Sequence, residues 1–244
     1  MNALPGTTGR RRIYLMRHGF VDYTSKEVIE SRDPSIATLT ARGRQEAHHA
    51  GQALADIKFD LALCSGLKRT RETAEIVLSE HSSDLALEDA PLFEELRSGQ
   101  YINFESPQQL AAVMTFQFEQ AGEPEATFLE GGEKFSDAMT RINAGLSELL
   151  IRPDWAICLL VAHEVVNRLI LATILGAPLG ASAGFEQDTG CINIIDFDMV
   201  PAEDAEGETR IERAVIKAVN LTPANYLKNG MNLRSLEAIF GSPS

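Results

Sequence analysis

The sequence has few cysteines, three in 244 residues, and only one tryptophan and four tyrosines. Cys64, Cys158 and Cys191 are odd in number and each lies in an apolar stretch. That pattern argues against a disulfide framework or a metal site and favours reduced core thiols. Positive charge is also scarce: 22 lysines and arginines face 35 aspartates and glutamates, a formal charge of −13. A nucleic-acid binder would carry a basic face, and an anionic membrane would repel this chain. A small anion stays within reach, because local arginines outweigh distant charges screened within about 10 Å at 0.1 M salt. No apolar run nears the roughly 18 residues that span a bilayer. The first twelve residues end in Gly9-Arg10-Arg11-Arg12 with no apolar stretch behind a cationic start, so no secretory leader is expected and the expected location is cytoplasmic. Internal repeats and Gly/Ser-rich or Pro-rich linkers are also lacking. Residues 1–244 are therefore expected to form one domain with a sizeable core.

What is present is a series of buried-strand signatures, each ending in chemistry-bearing residues. Ile13 to Met16 is apolar and runs straight into Arg17-His18-Gly19. Phe20 to Thr38 has no clean period and reads as a loop. Thr40 is placed to cap a helix running to about Asp56. Phe59 to Cys64 is a second strand, followed by Ser65 as an N-cap and a helix to about Leu78. Leu85 to Leu87 suggests a short strand. Residues 100–132, with a helix from Pro107 to Gln120, read as an insertion over the sheet edge and a candidate lid. Ser136 to Leu150 is an amphipathic helix, and Ala156 to Val161 is the strongest strand in the chain. It ends in Ala162-His163-Glu164, ahead of a helix from Val165 to Leu175 that stops at Gly176. Ile192 to Phe197 and Arg210 to Val219 read as a hairpin across the acidic turn Pro201 to Glu208. The tail from Leu221 shows no role.

In an open α/β sheet, ligands sit beyond the carboxyl ends of the strands. Arg17 offers a planar fork matching a phosphate, His18 a nitrogen nucleophile, and Gly19 close backbone approach. Arg69 falls in a first helical turn, where N–H groups also favour an anion; the alternative is a solvated charge, which suits Lys68 and Arg71. His163 is either a second active imidazole or a hydrogen-bonded core histidine. Glu94 and Glu95 compete as proton donor. His48 and His49 are expected to face solvent, and His81 lies in a polar loop. Tyr23, Phe116 and Phe118 either shape a pocket or pack.

Assembled in order, these stretches resemble the histidine phosphatase superfamily, the group that includes cofactor-dependent phosphoglycerate mutases. The resemblance spans about residues 13–227 and rests on several matches. They are Arg17-His18-Gly19; Leu39-Thr40-x-x-Gly43 with Gln45 and Ala47; and Ser65-x-Leu67-x-Arg69 with Thr73-Ala74. Glu95 four residues before Gly99, Gly131-Gly132-Glu133, and His163 with Arg168 complete the set. The family implies a three-layer α/β/α fold with a mostly parallel central sheet, and a phosphohistidine intermediate on His18. It further implies Arg17, Arg69 and His163 as phosphate ligands and Glu95 as proton donor. No cofactor or metal is implied.

Two positions depart from the family pattern. Glu164 replaces the usual glycine after the second histidine, where a carboxylate repels phosphate unless it turns away or pairs with a cation such as Arg168. Phe20-Val21-Asp22-Tyr23-Thr24 lacks the serine or threonine and the asparagine of the mutases. The expected activity is therefore hydrolysis of a small phosphorylated metabolite. A mutase-type transfer and a catalytically weak phospholigand-binding protein are the alternatives, and a homodimer is left open. In this chemistry the leaving alcohol needs a proton from a carboxyl group, and water then hydrolyses the phosphohistidine with that carboxylate as base. His18 is expected to be held in one tautomer by a backbone carbonyl accepting from its other nitrogen.

Overall fold

The computed structural model describes residues 9–82, 84–99, 106–201 and 209–240. Among them six strands form one sheet: β1 (Gly9–Arg17), β2 (Leu61–Cys64), β3 (Leu87–Asp89), β4 (Ile157–Ala162), β5 (Ile192–Pro201) and β6 (Thr209–Leu221). Their spatial order is β3-β2-β4-β1-β5-β6. The first four in that order run parallel, and β5 and β6 add an antiparallel ribbon beside β1.

Alternation along β1 separates two cores. Ile13 and Leu15 face one side, with Leu160 of β4, Ile142 and Leu146 of α5 (Phe135–Ile151), and Leu169 and Ile170 of α6 (Glu164–Ile174). Tyr14 and Met16 face the other, with Leu159 and Val161, Ala50 and Leu54 of α2 (Ala41–Leu54), and Ala74 and Val77 of α3 (Lys68–Ser79). The result is the three-layer α/β/α sandwich with a mostly parallel sheet. The arginines ahead of Ile13 lie within β1, and two of them pair across the sheet. Arg10 pairs with Asp198 at 2.7 Å and Arg12 with Asp196 at 2.6 Å, each directly across the β1–β5 register.

Several boundaries differ from the sequence expectation. The stretch from Phe20 to Thr38 is not all loop: it holds α1 (Lys26–Ser31), capped by Ser25, and a 3-10 turn over Pro34–Ile36, capped by Asp33. Both are too short to show a period. The second strand begins at Leu61, not Phe59, because Asp60 turns its carboxylate to the N–H groups of Ala156 and Ile157, each at 2.9 Å. The short strand lies at 87–89 rather than 85–87. Helix α4 (Pro107–Phe116) ends before Gln120, and the Gln117 amide instead bonds Met114 O and Leu129 N. The tail includes α7 (Ser235–Phe240), whose Leu236 is buried.

Residues 100–105 of the candidate lid and 202–208 of the acidic turn lie outside the described residues. Within 106–132, Ala111, Met114, Phe118, Phe128 and Leu129 join the main core.

Candidate active site

The carboxyl ends of β1, β2 and β4 lie side by side, and there the separate signals of the sequence meet. Arg17, His18, Arg69 and His163 are all buried, at 2%, 1%, 3% and 0% exposure. Polar groups are rarely buried so deeply unless paired or used. The two imidazoles stand edge to face with centroids 5.3 Å apart.

His18 Nδ1 lies 2.8 Å from the carbonyl oxygen of Gly19, so the N–H sits on Nδ1 and Nε2 is left with its lone pair. Gly19 is required for close approach: a Cβ there would collide with the Gly43 carbonyl of α2. The Gly19 N–H donates to Thr73 Oγ1 at 3.1 Å, tying the loop to α3. Arg69, in the first turn of α3, points Nε at His18 Nε2 from 3.3 Å, and its Nη1 reaches the carbonyls of Pro34 and Ser35. Burial, then Arg69 and Arg17, push the His18 pKa well below its usual value, so the ring is neutral at pH 7.

Ser65 does not cap α3, whose cap residue is Leu67. Its hydroxyl instead lies 2.8 Å from His163 Nε2 and 2.9 Å from Thr70 Oγ1. This partnership across 98 residues has no signal in the local sequence. His163 Nδ1 and Arg17 Nε are buried without a hydrogen-bond partner. Glu164 Oε2, Asn167 Oδ1, Ser182 Oγ and His81 Nε2 are buried without a partner as well, but His163 Nδ1 and Arg17 Nε belong to residues of this cluster, and a bound oxyanion could accept from both. As the phosphate ligand that the resemblance implies, His163 donates most strongly when protonated. With only protein charges around it, burial and then Arg69 and His18 hold its pKa well below 6.5, so protonation requires the anion itself.

Glu95 follows a 3-10 turn at Pro91–Phe93. Its Oε1 accepts from Leu96 N at 3.0 Å and its Oε2 from Val165 N at 3.3 Å, at the start of α6. Burial raises its pKa above the usual carboxylate range, outweighing the Leu96 N–H and the Arg69 charge. The spacing from Glu95 to Gly99 has a physical origin. Gly99 runs flush against Glu130 and Gly132, and Glu133 clamps the same segment by accepting from Arg97 N at 3.1 Å while pairing with Arg141 at 2.7 Å.

Glu164 neither turns away nor stays unpaired. It is 2.7 Å from Arg168 Nη2, as the i,i+4 spacing suggests, and its Oε2 is also 2.7 Å from Arg17 Nη1. Burial alone would lower the Arg17 pKa, and Glu164 first, with Tyr23, Cys191 and Glu95, together outweigh it for a net rise. The remaining expectations sort simply. Phe118 is buried under the Arg168 guanidinium, 4.7 Å from its ring, whereas Phe116 is exposed. Tyr23 lies beneath Arg69, 5.9 Å from its ring centroid. His48 is exposed beside Glu80 at 3.0 Å, and His81 packs on Phe59. All three cysteines are free and buried, with Cys64 pushed up to about 11 and Cys191 to about 12 by burial.

With that geometry in hand, comparison with known families is decisive. The model described as the histidine phosphatase superfamily (branch 1) matches residues 13–200. The chain belongs to this superfamily. A member from Escherichia coli, the adenosylcobalamin/alpha-ribazole phosphatase, is 30% identical over 190 residues, 77% of this chain and 90% of that protein. A probable phosphoglycerate mutase, GpmB, of Erwinia tasmaniensis is 26% identical over 78% of this chain and 86% of its own. Among solved histidine phosphatase folds, a putative alpha-ribazole-5'-P phosphatase from Escherichia coli superposes with a TM-score of 0.63 at 25% identity, covering 90% of this chain and 97% of that one. A mycobacterial glucosyl-3-phosphoglycerate phosphatase shares the fold with a TM-score of 0.64 at 20% identity, over 86% and 99% of the two chains.

Proposed function

We propose that this protein is a phosphomonoesterase that hydrolyses a small phosphorylated metabolite through a phosphohistidine on His18. The observation that carries the reading is the pair of unpartnered buried atoms, Arg17 Nε and His163 Nδ1, on the residue before His18 in the chain and the residue in ring contact with it, with the His18 lone pair on Nε2 facing Arg69. Arg69 holds that nitrogen in the resting site and would transfer its donor to a phosphoryl oxygen. Charge-assisted bonds of this kind are worth about 1.5–3 kcal/mol each, and aimed at a transferring phosphoryl group they act on the transition state. His18 attacks phosphorus through Nε2 while Glu95, whose pKa burial raises, donates a proton to the leaving oxygen. Glu95 then takes a proton from the water that cleaves the phosphohistidine.

The segment after Gly19 supports water rather than a second hydroxyl as acceptor. Val21 is buried, and Asp22 Oδ1 is taken by the Thr24 N–H and hydroxyl. Residues 106–132 would cover the substrate and set its identity. Reduced core thiols fit a cytoplasmic location. A panel of phosphorylated metabolites that includes alpha-ribazole phosphate tests the substrate. Rapid quench with labelled substrate tests the intermediate: an acid-labile, base-stable label on His18 is expected. Turnover with no label on any histidine would overturn the reading.

A further inference from the structure

Glu164 has no part in the chemistry above, yet it is 3% exposed and one guanidinium away from the phosphate cradle. Its Oε2 lies 2.7 Å from Arg17 Nη1. Its Oε1 accepts from Arg168 Nε at 3.1 Å, Arg168 Nη2 at 2.7 Å and the Ser235 hydroxyl at 2.9 Å. Oε1 thus holds three donors, whereas Oε2 is in charge contact with Arg17 Nη1 without a hydrogen bond.

Both arginines have anchors besides Glu164. Arg17 Nη1 also donates to the Gln187 carbonyl at 2.5 Å, and the Gln187 side chain is anchored by Asn167 and Asn193. Arg168 has a second carboxylate, Glu186, at 3.1 Å and the carbonyls of Ser182 and Phe185. What Glu164 supplies to both is negative charge, next to a site built for a dianion. Like charges brought together in a buried site oppose binding.

We propose that Glu164 trims the positive charge of the cradle through Arg17, so that inorganic phosphate is released after each turnover. The inference rests on the phosphatase reading above. Product phosphate has nearly the charge and shape of the group being transferred, so a cradle of two arginines and two imidazoles would grip both. Grip shared by ground state and transition state does not raise kcat. A carboxylate behind Arg17 weakens that shared grip while leaving Arg17 Nε free for the phosphoryl oxygens. Glu164 touches no reacting atom and is a positioning residue acting through Arg17.

The test is Glu164→Gln, which keeps shape and removes charge. It is read by calorimetric binding of inorganic phosphate and by steady-state hydrolysis of p-nitrophenyl phosphate. The phosphate dissociation constant is expected to fall about tenfold, with KM and kcat falling together as release slows. Glu164→Asp, which keeps the charge, is expected to hold phosphate affinity within about twofold of the original protein. Unchanged or weaker phosphate binding by Glu164→Gln, or a rise in KM, overturns the proposal. Should that variant fail to fold with Arg168 short of counter-charge, the double variant Glu164→Gln with Arg168→Met removes the surplus cation and should still bind phosphate more tightly than the original. An original protein that hydrolyses no phosphomonoester would sink the phosphatase reading instead, so the two failures are distinguishable.

Discussion

The two histidines stand at equivalent junctions, each following a buried parallel strand, yet they are held in opposite ways. His18 is oriented by its own neighbour, the Gly19 carbonyl, at 2.8 Å. His163 is oriented by Ser65, 98 residues earlier, also at 2.8 Å. Gly19 gives the first junction a backbone pressed against Gly43, whereas Glu164 gives the second a buried charge between two arginines. Local fixing suits a nucleophile, whose lone pair must stay aimed while it bonds and releases phosphorus. A distant hydroxyl that can donate or accept suits a ring whose protonation changes when an anion arrives. In the proposed mechanism, similar positions in the sheet thus support different duties.

The strongest challenge to this division is to remove each ring in turn. His18→Ala is expected to lower turnover of any phosphomonoester by roughly 10⁴-fold or more and to abolish labelling by phosphorylated substrate. His163→Ala should slow turnover by about 10²–10³-fold, as loss of one oxyanion donor does, while the label still forms on His18. Equal labelling loss in both variants would erase the distinction. Next in size is Glu95→Gln, which removes a group tied to the second junction through Val165 N. Alkyl phosphates should slow by about 10²-fold, and p-nitrophenyl phosphate far less, because its leaving group hardly needs a proton. Equal slowing on both substrates would pass the donor role to another group such as Glu94.

Ser65→Ala has a smaller expected effect and bears most directly on the contrast. It removes the partner of His163 Nε2 and leaves every contact of His18 in place. Losing one hydrogen bond of about 1 kcal/mol predicts roughly fivefold lower kcat. An altered rate of label formation at His18 of the same size as the full loss in His163→Ala would show that the hydroxyl does more than hold a ring.

The same contrast explains what was readable in the sequence. Contacts encoded within a few residues were legible: the run from strand to Arg17-His18-Gly19, Thr40 capping α2 through the Gly43 N–H at 3.1 Å, and Arg69 in the first turn of α3. The tautomer-fixing carbonyl at His18 belongs with them. Contacts made only by folding were not. Ser65 sits where an N-cap is expected, and only the β2–β4 pairing brings it to His163. Glu164 could be matched to Arg168 by helical spacing, but its tie to Arg17 needs β1 beside β4. Short helix α1 was invisible because Val28 is its one buried anchor.

The smallest expected effect, one of pH, is also the most discriminating. Both rings have pKa values held well below 6.5, His18 by burial and the Arg69 and Arg17 charges, His163 by burial, Arg69 and His18. A lowered pKa means that the neutral form persists on acidification, so protonation of His18, which would block attack, comes only in distinctly acid solution. Between pH 8 and 6.5, His18 protonation should change kcat/KM less than about twofold once the ionisations of the substrate and of Glu95 are allowed for, where an unperturbed imidazole would already be half protonated at about 6.5. Proton NMR of the imidazole resonances in phosphate-free buffer should show neither ring titrating over that range. Adding inorganic phosphate should then split the pair. A dianion against His163 Nδ1 favours the charged ring and raises its pKa. His18, whose Nδ1 proton is already committed to Gly19 and whose Nε2 must face phosphorus, gains less. Upward shifts of equal size in both would mean that the two imidazoles share the anion alike, and the assignment of one as nucleophile and the other as donor would lose its physical basis.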